Sequence, residues 1–247
     1  MSPIGKRLPK EVITLIKTQK SSYKEIQDNV ERLWKIRIPK STISYYRRQR
    51  ARTKAIDLEA ASREDWDWFQ GLFSADGNKT LNRGKYGKHY IIRISLSMND
   101  DSAIAKKCMR ILRTIGPKPM VVPCGNCIQV RVSSKNLYFA LKKEPSSDGV
   151  SPAYVAGAID GDGTVDHHAI QFGQSTVPEL FDGIALFFRR SGTPVSTWST
   201  KNNYRRMYIS YQTLKKTLVL SFSLRAQRIR QSLERERGNY SDGAGEI

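Results

Sequence analysis

The chain has 247 residues, with 42 Lys and Arg against 23 Asp and Glu, and a formal net charge of +19. Its 39% hydrophobic residues, 17 Gly and three Cys exclude a disordered chain, a collagen, a coiled coil and a disulfide scaffold. No apolar run is long enough for a membrane span, and the first residues lack the apolar stretch of a signal peptide, so we expect a cytoplasmic protein with no membrane partner. Such an excess of positive charge indicates a polyanionic partner, with nucleic acid as the first candidate.

The N-terminal fifth is the most basic part of the chain. Residues 1–54 hold 15 basic and four acidic residues (+11), whereas residues 55–247 carry +8. Apolar spacing predicts three helices, after Pro9, after Ser22 and over residues 42–52. This pattern resembles a helix-turn-helix module, whose third helix can enter a major groove, and a protein-docking bundle is the alternative. The residues of the third helix expected to contact DNA are Lys40, Ser44, Tyr45, Arg47, Arg48 and Arg50.

An internal repeat follows the linker predicted at residues 55–61. Residues 68–77 (WFQGLFSADG) and 154–163 (YVAGAIDGDG) match at a spacing of 86 residues, and each ends a predicted helix with Asp-Gly. An interior Gly costs a helix about 1 kcal/mol relative to Ala, so Gly71 and Gly157 need a reason. Small residues spaced by four along each helix would let the two backbones approach closely. The repeat therefore predicts two helices packed side by side.

That packing brings together the aspartates at the helix ends, Asp76 and Asp162. A carboxylate in the last turn meets the negative end of the helix dipole, and two close carboxylates raise the pKa of one of them. Oxygen ligands suit hard divalent ions, which relieve this repulsion. We therefore expect Mg²⁺ or Mn²⁺, with two or more ions shared by the paired aspartates, and phosphodiester hydrolysis as the reaction such ions support. The alternative is that Asp-Gly only turns the chain.

These segments resemble the motif of the LAGLIDADG homing endonuclease family, from Phe69 to Gly77 and from Val155 to Gly163. The first copy departs from the motif at Gln70 and Ser74, and the second is close to it. The resemblance implies an α+β fold of two pseudo-twofold αββαββα repeats that form DNA-binding saddle sheets, after a small all-α domain. The expected domains are 1–54, linker 55–61, first repeat 62–147, second repeat 148–237 and tail 238–247.

The family resemblance also implies site residues. The last acid of each motif is the metal ligand, and the preceding backbone carbonyl joins it, which gives Asp76, Asp162, Ala75 and Gly161. Asp160 corresponds to Ser74 of the first copy, which is not acidic, so we interpret Asp160 as a helix-end residue rather than a ligand. A glutamine and a basic residue often lie beside the metals in this family. The candidate for the glutamine is Gln174, whereas Met98 holds the equivalent place in the first copy and cannot take that role. The candidates for the basic residue are Lys142, Lys143 and Arg225.

In the strand predicted over residues 89–98, Ile92, Ile94, Leu96 and Met98 lie on one face and polar residues on the other. Such polar residues on the open face of the predicted strands are candidates for base contacts, since a two-stranded ribbon fits the major groove. In the first copy these candidates are Lys79, Asn82, Arg83, Lys85, Tyr86, Lys88, Arg93, Gln129 and Arg131. In the second copy they are His168, Gln171, Lys201, Asn203, Tyr204, Arg205 and Arg206. The two sets differ, so we expect an asymmetric target. Elsewhere, the Gly-Asn centre of residues 124–127 (CGNC) favours a hairpin turn over a zinc or redox site.

The sequence therefore predicts a monomeric, intron-encoded type of homing endonuclease, nucleoid-associated, that cuts both strands of a long asymmetric double-stranded DNA. Two alternatives stay open. One is a maturase that binds intron RNA. The other is a transcription regulator of the same fold that binds DNA without cutting, although such proteins usually lose a catalytic acid.

Overall fold

A computed structural model describes residues 8–52, 56–84, 87–98, 101–145, 149–200 and 204–241. The chain divides into two compact units, Met1–Ala55 and Ile56–Ile247. Within the described residues, no helix combines the length and apolarity needed to cross a bilayer.

The described part of the smaller unit is all helical. Its helices are α1 (Lys10–Thr18), α2 (Tyr23–Trp34) and α3 (Lys40–Arg52). Ser22 and Glu25 form a capping box that begins α2. The third helix begins two residues before the predicted start, because the Pro39 carbonyl accepts the amides of Thr42 and Ile43. The buried core consists of Val12, Ile16, Ile26, Val30, Ile38 and Ile43.

The larger unit contains two copies of the predicted helix and strand order, so the α+β prediction with two four-stranded antiparallel sheets is confirmed. The first copy comprises α4 (Arg63–Asp76), β1 (Gly77–Gly84), β2 (Gly87–Ser97), α5 (Ser102–Thr114), β3 (Met120–Cys124), β4 (Cys127–Ser133) and α6 (Lys135–Ala140). The second comprises α7 (Pro152–Asp162), β5 (Gly163–Asp166), β6 (Ala169–Gln174), α8 (Pro178–Arg190), β7 (Ser196–Ser199), β8 (Arg205–Ser210), α9 (Tyr211–Lys216), α10 (Val219–Phe222) and α11 (Leu224–Ser241).

Each sheet is buried on one face and open on the other. The strand orders are β1-β2-β4-β3 and β5-β6-β8-β7. In the first sheet, Ile92, Ile94 and Leu96 alternate with less buried residues and join the core, as the alternation predicts. We call the opposite side of each sheet its open face. Met98, predicted on the buried face, is exposed and lies beyond the end of β2.

The helices α4 and α7 pack together through their glycines, as the repeat predicts. A Cβ on Gly71 would overlap the backbone carbonyl of Tyr154, and a Cβ on Gly157 would overlap that of Trp68. Only glycine fits at these two positions. The helices can therefore pack this closely only because both positions carry glycine, despite its low helix propensity. The close packing therefore holds the C-terminal ends of α4 and α7 next to each other.

Two segments differ from the sequence-based prediction. Residues 55–61, expected as a linker, contain the 3₁₀ turn Leu58–Ala60, and Ile56 and Leu58 pack against the larger core. The repeat order αββαββα implies one helix after the last strand, but three follow it, α9, α10 and α11. Leu218 has a φ of 58°, which breaks the first helix, and Ser223 ends the second in an extended conformation. The second break frees the amides that begin α11 to bind a buried carboxylate.

Candidate functional site

Asp76 and Asp162 are the last residues of the two packed helices. The helices approach so closely there that a Cβ on Gly161 would lie 2.6 Å from the Ala75 Cβ and 3.4 Å from a carboxylate oxygen of Asp76. Gly77 and Gly163 then turn the chain directly into β1 and β5. The helix pair thus brings both carboxylates to the point where the two sheets begin.

Neither carboxylate is in an environment that favours its charge. Burial and the nearby charge of Asp162 raise the pKa of Asp76 to about 7, against the opposing effect of Arg225 and Lys143. Burial raises the pKa of Asp162 to about 6, while Lys143, Arg225 and a hydrogen bond from Gln174 act in the opposite direction. The surrounding protein leaves negative charge at this point incompletely compensated. Such a site suits a cationic ligand.

Two of the three predicted basic residues lie at the helix ends, one in each copy. Lys143 Nζ donates to the carbonyl of Ser74 at 3.2 Å and to that of Ala75 at 3.4 Å. Arg225 donates to the carbonyls of Gly161, at 2.8 Å, and Gly163. Ala75 and Gly161 are equivalent residues of the repeat, so the two cations occupy matching places. Lys142, the third candidate, is exposed and lines a cavity of about 900 Å³ with Arg63 and Arg190.

Asp101 is a site residue that the sequence analysis missed. It is only 1% exposed and lies before α5, where one carboxylate oxygen accepts from Arg225 at 2.9 Å and from the Ser97 amide at 2.9 Å. Its charge also contributes to the raised pKa of Asp76. The pair joins residues 124 positions apart and connects the first copy to the helix end of the second. No local sequence signal identifies such a contact.

Gln174 contacts one of the two aspartates directly. Its amide nitrogen donates to the Asp162 carboxylate at 2.7 Å, and its amide oxygen accepts from the backbone of Ser175, Thr176 and Val177. The strand registers pair Gly163 with Phe172 and Gly77 with Ile94, so Leu96, rather than Met98, is the equivalent residue of the first copy. Leu96 is buried and apolar, so Asp76 has no matching amide donor from this position.

The motif residues Ser74 and Asp160 accept hydrogen bonds that join α4 to α7. Trp68 Nε1 donates to Asp160 at 2.9 Å, and at the equivalent places of the repeat the Tyr154 hydroxyl donates to the Ser74 hydroxyl at 2.7 Å. Asp160 is fully buried and also accepts from Ser223 and from the first amides of α11. Its oxygens are engaged by protein donors, in keeping with the interpretation that it is not a ligand.

The donor set fits a hard divalent ion of the kind the sequence predicts. Among the described residues, no cluster of three or more His, Cys, Asp or Glu side chains is found. Two carboxylates are nevertheless enough for Mg²⁺, which usually keeps several waters and takes its other ligands from substrate phosphates. The carbonyls of Ala75 and Gly161 each have two lone pairs, of which the basic side chain uses one.

In the first sheet the predicted contact residues divide between the two faces. Four of them lie on the open face, because along their strands they alternate with positions that pair on the buried face. These four are Asn82, Arg93, Gln129 and Arg131. Lys79 departs from the prediction, since it pairs across from buried Ile92. Its ammonium donates to the carbonyls of Tyr138 and Leu141 beside α6. Arg83 and Lys88 pair near the exposed hairpin end, and Lys85 and Tyr86 lie outside the described residues.

The second sheet divides in the same way. Gln171 and Arg206 lie on the open face, and the Tyr204 hydroxyl occupies the space where a Cβ on Gly173 would lie. Arg205 departs from the prediction, because it forms an ion pair with Asp182 of α8 and lies over the Phe181 ring. His168 is in the exposed turn between β5 and β6. Lys201 and Asn203 are outside the part of the chain that the structure describes.

In the smaller unit, Lys40 and Tyr45 are exposed on α3, and Ser44 is half-buried. Arg47 departs from its predicted role, because its guanidinium donates to the carbonyls of Gln19 and Ser21 and lies 5.2 Å from the Tyr23 ring centre. It therefore stabilises the junction of α1 and α2. Arg48 and Arg50 are on α3, but their side chains lie outside the described part of the structure.

The CGNC segment forms the tight turn that the sequence favours. Cys124 and Cys127 pair across β3 and β4, and Gly125 has a φ of 60°. Both thiols are free.

Comparison with known proteins identifies the fold. No family model and no curated protein matches the sequence. A structure of mesophilic variants from the homing endonuclease I-DmoI aligns with a TM-score of 0.53 and 15% identity, over 63% of this chain and 93% of that one. I-DmoI in complex with DNA and calcium aligns at 0.52 and 16%, over 62% and 86%. The complex with DNA and manganese aligns at 0.51 and 14%, over 66% and 98%. The larger unit therefore has the LAGLIDADG homing endonuclease fold, as the sequence resemblance predicts.

Proposed function

We propose that this chain, whose larger unit has the LAGLIDADG fold, is a site-specific endonuclease that cuts both strands of a long asymmetric double-stranded DNA. The proposal rests chiefly on one observation: two aspartates whose pKa values are raised to about 7 and about 6 meet at the ends of one tightly packed helix pair. The DNA and metal complexes of I-DmoI, which has the same fold, support it. One chain carries both copies, so a monomer suffices.

In this proposal Asp76 and Asp162, with the carbonyls of Ala75 and Gly161, hold Mg²⁺ or Mn²⁺, two or more ions in all. When bound, the metal supplies charge stabilisation and an acidic water. Lys143 and Arg225 place one positive charge at each helix end, where each can stabilise developing charge on a phosphate. Gln174 orients the Asp162 carboxylate by its hydrogen bond. Lys142 is exposed, and the charges that act on the two aspartates include Lys143 and Arg225 but not Lys142, so we assign the role to the other two.

The open faces of the two sheets are proposed to bind the DNA. The first sheet offers Asn82, Arg93, Gln129 and Arg131, and the second offers Gln171, Tyr204 and Arg206. The smaller unit, a basic bundle with Lys40 and Tyr45 exposed on α3, is proposed as a second DNA-binding module of the helix-turn-helix type.

A cleavage assay on duplexes selected from a random library tests the function. Asp76→Asn and Asp162→Asn should each abolish cutting and keep duplex binding in calcium buffer, because Asn keeps the shape but loses the ligand charge. Asp67→Asn, nine residues earlier on α4, is the matched control and should cut normally. Cutting by both site variants, or retained cutting without divalent ions, would contradict the proposal.

A further inference from the structure

The open face of the first sheet carries an arginine pair that has no counter-charge among the described residues. Arg93 of β2 and Arg131 of β4 lie directly opposite each other in the antiparallel register. Directly opposed residues on neighbouring strands have Cβ atoms about 5 Å apart, so like charges there are destabilising. The four strands of this sheet contain no Asp or Glu.

The guanidinium groups are also poorly hydrogen-bonded. The Nε atoms of both arginines are buried and have no hydrogen-bond partner. Arg93 makes one long contact, 3.5 Å, with the Thr80 hydroxyl, and no ion pair involves either arginine within the described residues. The two side chains are partly exposed, so a ligand on the open face that offers several acceptors can bind the accessible part of each guanidinium.

The position of the pair limits what that ligand can be. Arg93 pairs with Asn78, two residues after Asp76, so the pair lies at the end of the sheet nearest the aspartates. Adjacent strands are about 4.8 Å apart, so the two guanidinium groups can contact base pairs that are neighbours along a duplex. Polar side chains flank the pair on the same face: Asn78, Thr80, Ser95 and Gln129.

We infer that Arg93 and Arg131 together read guanines in the half of the target bound by the first copy, within roughly five base pairs of the cleavage centre. This inference rests on the proposed function. Guanine presents O6 and N7 in the major groove, the bidentate match for a guanidinium. Phosphate is the other anionic partner, but it would carry no base preference. Among the paired residues that the structure describes in the second sheet, no two arginines lie opposite each other: Arg206 lies opposite Gly173, with its guanidinium over the Tyr204 ring.

The test is a binding selection in calcium buffer from a randomised duplex library, with the full-length protein. Wild type should select guanine at one or two positions in the first-copy half. Arg93→Gln and Arg131→Gln should each lose guanine preference there, with roughly 5- to 150-fold weaker binding to the selected site. Arg113→Gln, an exposed arginine on α5, is the control and should select the same sites as wild type.

Base analogues distinguish contacts to the major-groove edge of guanine from contacts to the phosphate backbone. Replacing the selected guanine by 7-deazaguanine should weaken wild-type binding, whereas inosine, which keeps O6 and N7, should not. Uniform weakening on all sequences, with a shallower salt dependence and unchanged base preference, would assign the pair to phosphates and overturn the inference. Absence of any duplex binding by wild type would instead defeat the proposed function itself.

A measurement without DNA completes the design. Removing one charge of an opposed pair should raise the melting temperature of the free protein by about 1 to 3 °C. A fall in melting temperature for both single variants would mean that the arginines stabilise the sheet, which also counts against the inference.

Discussion

The two copies of the repeat share a backbone plan but surround their aspartates with different chemistry. In the first copy Lys143 binds the helix-end carbonyls, and the strand position near Asp76 is the buried Leu96. In the second copy Arg225 binds the helix end and is itself held by Asp101, while Gln174 binds Asp162. The shared fold therefore fixes where the two carboxylates meet, and the residues that differ between the copies determine which side chains contact each carboxylate and each helix end.

The largest expected effect comes from breaking the symmetric part. Gly71→Ala or Gly157→Ala would place a Cβ on a backbone carbonyl of the partner helix, which cannot move without separating α4 from α7. We expect a loss of about 3–5 kcal/mol of stability or failure to fold. Thermal unfolding measures this effect. Gly84→Ala, where the nearest neighbour is 3.9 Å away, is the control and should change stability little. Normal stability of both helix variants would refute the close packing.

The next effect separates the two cations. Lys143→Met and Arg225→Met should each reduce cleavage by about 10²- to 10³-fold, because each removes a positive charge beside the reacting phosphate. Only Arg225→Met should also lower the melting temperature clearly, since it leaves the buried Asp101 carboxylate unpaired. Rates for each strand, measured on separately labelled duplexes with Lys142→Met as the control, would sharpen the comparison. Equal stability losses in the two variants would contradict it.

The raised pKa values predict a pH dependence of stability. A carboxyl whose pKa rises on folding contributes stability below its unfolded pKa near 4, and this contribution is lost as the pH rises through about 7 for Asp76. In EDTA, Asp76→Asn should therefore melt about 3 to 8 °C above wild type at pH 8 and show no gain at pH 4. Melting curves of wild type and of Asp76→Asn across this pH range test the prediction. A gain at pH 4 alone would reverse the sign and refute it.

The smallest expected effect comes from making the second copy resemble the first. Gln174→Leu removes the amide donor to Asp162 and the acceptor for the amides of Ser175 to Val177. We expect about tenfold slower cleavage and a loss of about 1–2 kcal/mol of stability, because three backbone donors lose their acceptor. Gln174→Glu keeps the acceptor but places a second carboxylate against Asp162, so it should recover stability only at acidic pH, where one of the two carboxyls is protonated. Identical losses for the two substitutions at acidic pH would contradict these separate roles.

Local patterns in the sequence were sufficient to predict the repeated elements. The Gly and Asp spacing indicated the helix pair, and the alternation of Ile92, Ile94 and Leu96 indicated a strand with one buried face. These signals are periodic, so they are visible in a few neighbouring residues. The paired carboxylates followed from the same pattern.

Contacts made over long distances in the chain could not be predicted in this way. Asp101 and Arg225 are 124 residues apart, and the apolar spacing continues through the breaks that place Arg225 at the start of α11. Lys79, Arg205 and Arg47 looked like surface cations, but each binds a neighbouring element. A long basic side chain can turn towards a carbonyl or carboxylate nearby, and only tertiary structure decides which.

The contact between Ala75 and Gly161 bears on how such a molecule can be assembled. A methyl group fits at one of these equivalent positions only because the other has none. Two identical subunits built from the first copy would bring alanine against alanine, and the helix ends could not approach. Tandem fusion within one polypeptide permits this unlike pair, so the second half cannot be exchanged for a duplicate of the first without rebuilding the junction.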